Sequence, residues 1–108
     1  MDTELIFDIY SLTDEEIKKA FGKTLKEYRT KLNLTQKELS QKVKIPVQSI
    51  SVYERGEICP TIIQAMRISR FFNLSIDDFI LYGLGYKEYT SDEILKRITD
   101  YYTKQDNK

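Results

Sequence analysis

The sequence predicts an all-α fold, on three observations. Five helix-start signals, at Thr13, Thr35, Thr61, Ser75 and Thr90, each precede a run of apolar residues at helical spacing. No segment reads clearly as a strand. At 108 residues, with 41% apolar and 31% charged residues, the chain fits one small soluble domain with appendages.

The elements follow in order. Thr13-Asp-Glu-Glu16 is a capping box: the threonine hydroxyl accepts from the Glu16 N–H and the glutamate returns the bond. Leu12 and Ile17 form its hydrophobic staple. Ile17, Phe21, Leu25, Tyr28 and Leu32 continue one apolar face, so a first helix is expected over about 14–32, with a bend at Gly22. Asn33 ends it, since Asn tolerates the left-handed conformation. Thr35-Gln-Lys-Glu38 is a second capping box opening a short helix, about 36–43, with Leu39 and Val43 inward. Pro46 forces Ile45 towards extended backbone, so a third helix starts there and runs to about Glu54 before Gly56. Thr61 starts a fourth, about 62–72, with Ile62, Ala65, Met66 and Phe72 expected inward. Ser75 caps a fifth, about 76–82, and Gly83-Leu-Gly85 breaks it. Thr90-Ser-Asp-Glu93 caps a sixth, about 92–104. Leu5–Tyr10 stays open between a short strand, a helical turn and a docked arm.

These elements divide the chain into an N-terminal arm (1–12), a helical domain (13–82), a linker (83–91) and a C-terminal helix (92–104). Ile94, Leu95, Ile98, Tyr101 and Tyr102 give that last helix an apolar stripe, read as a dimer interface.

Composition excludes several chemistries. With no histidine, Ser-His and Cys-His nucleophile pairs and most zinc or haem sites are gone. A single cysteine, Cys59, excludes an intrachain disulfide, fits a reducing cytoplasm, and is read as structural rather than redox-active. No catalytic residue, metal site or cofactor is expected. The acidic N-terminus is unlike a signal peptide, and no apolar run reaches membrane-spanning length, so a cytoplasmic location is expected. Charge sums to zero but is unevenly placed: −6 over residues 1–17, +8 over 18–70 and −2 over 71–108. A basic middle between acidic ends suits a polyanion-binding core.

The stretch from Leu34 to Gly56 places a short helix, a three-residue turn and a second short helix in a row, which makes a helix-turn-helix. Ser40 is small where the two helices cross, and Val43, Ile45 and Ile50 lock their angle. With these inward, Val47, Gln48, Ser51 and Val52 project outward from the second helix.

Leu34-Thr-Gln-Lys-Glu-Leu39, Ser49-Ile-Ser-Val-Tyr-Glu-Arg-Gly56, Pro60-Thr-Ile62 and Leu74-Ser-Ile-Asp-Asp-Phe79 together resemble the lambda-repressor-like, Cro/CI (XRE-type) helix-turn-helix family over about residues 21–80. The resemblance implies a five-helix DNA-binding domain whose third helix enters the major groove of double-stranded DNA. It also implies a homodimer on a palindromic site, acting as a transcriptional repressor, and no enzymatic activity. Residue by residue, it implies base reading by Val47, Gln48 and Val52, and phosphate contacts by Thr35, Gln36, Ser49 and Arg55. The outward Ser51 is added to the base readers, and Lys37 and Lys44 to the phosphate contacts. It implies a buried ion pair between Arg29 and Glu54. Gln48 can bond adenine bidentately, and the valines can read only shape and the thymine methyl, so half-sites with A·T pairs are expected. Two departures stand out: Lys44 replaces the usual turn glycine, and Pro46 replaces a capping Ser or Thr. Ile63 and Phe71 are larger and more apolar than the family usually carries there. The competing reading is an interaction protein, such as an antitoxin or a peptide-responsive switch, whose appended segments bind a protein or peptide partner.

Overall fold

The structure, a computed structural model, describes residues 9–86. A short 3-10 turn, Ile9–Ser11, leads into five helices. They are α1 (Asp14–Lys31), α2 (Gln36–Val43), α3 (Val47–Glu54), α4 (Ile62–Phe71) and α5 (Ile76–Gly83). No strand occurs among the described residues. The expected helix over 92–104, with its apolar stripe, lies outside them, as do residues 1–8 of the expected arm and most of the expected linker.

Local chemistry sets the helix starts. Thr13 accepts from Glu16 N at 3.1 Å while Glu16 accepts from Thr13 N at 2.9 Å. Thr35 and Glu38 repeat the box at 3.0 and 2.8 Å. Thr61 accepts from Gln64 N at 3.2 Å, and Ser75 from Asp78 N at 3.0 Å. Each such cap is worth about 1 kcal/mol. Asn33 and Asn73, both at positive φ, turn the chain after α1 and α4. Asn tolerates that region at little cost, which lets both helices stop sharply.

The core lies between α1, α3 and α5, with α2 and α4 closing its sides. Phe21, Leu25, Tyr28, Leu39, Ile50, Ile68, Phe72 and Phe79 are buried. Tyr28 is the hub of an aromatic cluster, with ring centroids 5.6 Å from Phe72, 5.7 Å from Phe79 and 4.9 Å from Tyr82. Edge-to-face pairs add about 0.5–1.5 kcal/mol each beyond the area they bury. The buried Thr24 hydroxyl donates to the Phe79 carbonyl at 2.6 Å, tying α1 to α5.

Two expectations are corrected here. Helix α1 runs unbroken through Gly22. The glycine serves close approach: a Cβ there would lie 2.2 Å from the Tyr53 carbonyl oxygen on α3. Gly83 does the same at the other end, where a Cβ would lie 2.0 Å from the Ala20 carbonyl oxygen. Helix α5 therefore continues through Gly83 rather than breaking before it. The second correction concerns α4. Ala65 and Phe72 are buried as expected, but Ile62 is 72% and Met66 52% exposed. Ile68 and Ser69 take the inward places. The helix is apolar on several sides, so periodicity alone does not select the buried one.

No helix among the described residues is long and apolar enough to cross a membrane.

Replacing Gly22 with Ala is expected to destabilise the domain by about 1–3 kcal/mol, because the added methyl meets backbone that cannot rotate away. Lys23→Ala, one residue on and exposed, is expected to stay within about 0.5 kcal/mol. Urea denaturation of the two variants beside the parent checks both values.

Candidate nucleic-acid interface

Helices α2 and α3 are joined by Lys44, Ile45 and Pro46. Lys44 is left-handed, at φ 59° and ψ 48°. The turn is held on both sides: Ile45 N donates to the Ser40 carbonyl at 3.1 Å, and Arg67 Nη1 from α4 donates to the Lys44 carbonyl at 3.2 Å. Buried Val43, Ile45 and Ile50 fill the angle between the helices. Pro46 supplies no side-chain cap, so α3 begins on its carbonyl alone, which accepts from Ile50 N at 3.2 Å.

Arg29 and Glu54 meet as a two-point pair, Nε to Oε2 at 2.5 Å and Nη2 to Oε1 at 3.0 Å. Their side chains are only 12% and 4% exposed. Arg29 Nη1 also donates to the Leu34 carbonyl at 2.7 Å, and Gln36 Nε2 donates to Glu54 Oε1 at 2.9 Å. One guanidinium and one carboxylate thus join α1, the α1–α2 connection, α2 and α3.

The side chains expected at bases lie along α3. Gln48 is exposed, and its side-chain amide makes no hydrogen bond among the described residues. Val47 and Ser51 are half-buried. Val52 is half-buried and packs on the core, so its methyl groups serve the interior as well as the surface. Ser51 also accepts from Arg55 Nη1.

The side chains expected at phosphates fall into two sets. Lys37 and Lys44 are exposed, with amino groups in solvent. Thr35, Gln36, Ser49 and Arg55 already have work inside the domain. The Thr35 hydroxyl accepts from Glu38 N, and the Gln36 amide is part of the ion-pair network. Burial raises the Tyr53 hydroxyl above its ordinary value, an effect that the nearby Ser49 hydroxyl partly opposes. Arg55 Nε donates to Glu57 at 2.8 Å. That bond lowers the Glu57 carboxyl below its ordinary range and raises Arg55, so both stay charged. At the start of α2 the Thr35 cap uses only the Glu38 N–H, leaving the N–H groups of Gln36 and Lys37 for an external acceptor. The Glu38 carboxyl is lowered, chiefly by the backbone N–H of Thr35. Its capping contribution is therefore complete above the ordinary carboxylate range and is lost as pH falls through the lowered value.

Sequence reasoning alone did not find the roles of Gln36, Glu57, Gln64 or Arg67. Gln64 accepts from the Tyr53 hydroxyl, and Arg67 pins the turn. These contacts join residues 11 to 23 positions apart, or engage a side chain assigned to another partner, and no local pattern marks them. Cys59 is exposed rather than packed.

A family model described as "Helix-turn-helix" matches residues 25–79, just over half of the chain. The chain is similar to an "Uncharacterized HTH-type transcriptional regulator" of Archaeoglobus fulgidus, at 36% identity over 58 residues. That match covers 54% of this chain and 82% of the relative. A protein of the same description from Methanocaldococcus jannaschii is 38% identical over 58 residues, 54% of this chain and 88% of the relative. The HTH-type transcriptional regulator ImmR of Bacillus subtilis is 36% identical over 78 residues, 72% of this chain and 54% of the relative.

Three substitutions test the frame. Arg29→Ala strands the Glu54 carboxylate and is expected to cost about 3–5 kcal/mol. Arg29→Lys should not recover it, since one ammonium cannot hold both carboxylate oxygens and the Leu34 carbonyl. Lys44→Gly relieves the left-handed strain and is expected to raise stability by about 1 kcal/mol. Chemical denaturation of the three variants measures each shift.

Proposed function

The chain belongs to the XRE-type helix-turn-helix family, and from that premise we propose that it represses transcription as a homodimer by occupying a palindromic operator. In this reading α3 lies in the major groove. Gln48 is the main polar reader, pairing with adenine N6 and N7. Val47, Ser51 and Val52 line the thymine-methyl side. The first turn of α2, with Lys37, Lys44, Thr35, Gln36, Ser49 and Arg55, holds the phosphates and sets the register. The observation that carries this is Gln48: an exposed amide without internal partners, on a helix whose far end is fixed by a buried ion pair. An amide held out on a rigid helix is arranged for an external acceptor and donor.

Two recognition helices on a palindrome sit about 34 Å apart, so the reading calls for two copies. Residues 92–104, with Ile94, Leu95, Ile98, Tyr101 and Tyr102, are proposed as one dimerisation element. Repression follows from occupancy: the bound dimer excludes polymerase where the operator overlaps a promoter.

Selection from random duplexes is expected to enrich a palindrome with A·T pairs. Gln48→Ala is expected to relax one position per half-site, with about 1–3 kcal/mol of discrimination lost there. Lys37→Ala should weaken all duplexes alike and reduce the slope of log K against log salt by about 1 per protomer. Absence of any enriched motif from the folded protein, or a flat salt dependence, overturns the reading.

A further inference from the structure

We infer that the exposed face of α4 is a self-association surface, on which α4 of a second copy packs antiparallel about a two-fold axis between Ile63 and Met66. The inference rests on the homodimer reading and locates its contact. Ile63, Met66, Arg67 and Arg70 follow one another at i, i+3, i+4 and i+7 and share one side of the helix, with Ile62 at its edge. All five are exposed, while the opposite side of the helix is buried in the core. Ile62, Ile63 and Met66 are 72%, 60% and 52% exposed, and Ile58, just before the helix, is 55% exposed. Three large apolar side chains together on one helix face mark an interaction site, whereas single exposed ones do not.

Charge selects the occupant. The C-terminal end of the face carries Arg67 and Arg70, and Arg70 has no ion pair among the described residues. The segment leading into α4 lines, together with the start of α1, a depression formed by Asp14, Ile17, Lys18, Glu57, Ile58 and Cys59. Its one cation, Lys18, is paired with Glu15 at 2.5 Å. The surface is therefore cationic at one end, apolar at the centre and acid-bearing at the other. A parallel neighbour would meet like charge at both ends. An antiparallel copy sets its Arg70 over the Asp14 and Glu57 carboxylates, and the apolar centre closes on itself. This is the self-complementarity that a two-fold interface requires. Glu57 bonds Arg55 within its own chain, but both are solvent-exposed, and an exposed pair yields readily to a competing cation.

The test uses the full chain and sedimentation velocity over a concentration series. The parent is expected to dimerise. One variant reverses the acidic end (Asp14→Lys with Glu57→Lys), and another the basic end (Arg70→Glu). Each alone is expected to raise the dimer dissociation constant at least about tenfold. Mixed in equal amounts they should recover a heterodimer, since both ends then pair opposite charges. A variant that merely misfolds cannot be rescued by mixing. Ile63→Asp, at an exposed site, should abolish the dimer while matching the parent's thermal unfolding midpoint at concentrations where the parent is monomeric. If the single variants dimerise like the parent, or the mixture stays monomeric, the α4 interface is overturned while a dimer held by residues 92–104 survives. If the parent stays monomeric at every concentration, both the interface and the homodimer reading fall.

Discussion

The buried pair between Arg29 and Glu54 is the constraint on which the arrangement of the first three helices depends. Helix α3 has eight residues, far too few to be stable alone. Its direction is therefore set by what grips it. Ile50 and Tyr53 hold its inner side, and Gly22 lets α1 approach its last turn. Glu54 closes the helix with a negative charge at the negative end of the dipole, which is unfavourable by itself. The Arg29 guanidinium reverses that sign. Because it binds both carboxylate oxygens, it fixes the plane of contact as well as the charge. Gln36 and the Leu34 carbonyl use further donor and acceptor capacity of the pair, bringing the start of α2 into the same unit. A buried ion pair is a weak source of net stability, but one partner without the other is costly. The network thus acts as a geometric lock: α1, α2 and α3 are either all in place or all at fault.

The helix boundaries were legible because they are set locally. Thr13 and Thr35, each followed by glutamate three residues on, carry both halves of a capping box within four positions. The left-handed turn at Lys44 was legible only through the resemblance, which puts a glycine at that place. The packing of α4 was not. Ile62, Ile63, Met66 and Ile68 spread apolar character around the helix, and only contact with α2 and α5 decides that Ile68 goes inward. Gly22 was ambiguous for a related reason: a glycine inside a helix signals either a bend or a close neighbour, and the neighbour that requires it lies on α3. At the candidate interface, positions were legible while side-chain commitments were not. Nothing near Gln36 in the sequence announces a bond to Glu54, 18 residues away.

Those commitments sort the interface by how easily each side chain is released. The contacts of Arg55 with Glu57 and Ser51 are exposed, and exposed ion pairs contribute about 0–1 kcal/mol. A phosphate can displace Glu57 at small cost. Gln36 is different, since its amide bonds a carboxylate that is nearly buried. Releasing it weakens the lock that orients α3. Gln36 is thus better suited to meet a phosphate through its backbone N–H, with its side chain left in place. Lys37 and Lys44 need no release at all. In the proposed complex, affinity then comes from groups already facing solvent, and the scaffold is not disturbed by binding.

The turn between α2 and α3 concentrates two local costs. Lys44 occupies a conformation that favours glycine, and Pro46 leaves α3 without a side-chain cap. Natural sequences keep such costs mainly where another requirement outweighs them. A glycine at position 44 would remove a cation from the helix junction. A serine cap at position 46 would engage a backbone N–H in the first turn of α3. With proline there, the N–H groups of Val47 and Gln48 have no partner inside the described residues and point out of the helix start. The outcome is a junction carrying one mobile positive charge and two fixed donors, held in place by the Ser40 carbonyl and by Arg67. Both departures from the family pattern raise positive potential at the same edge. They weaken the turn as a structural element and strengthen it as a surface for a polyanion.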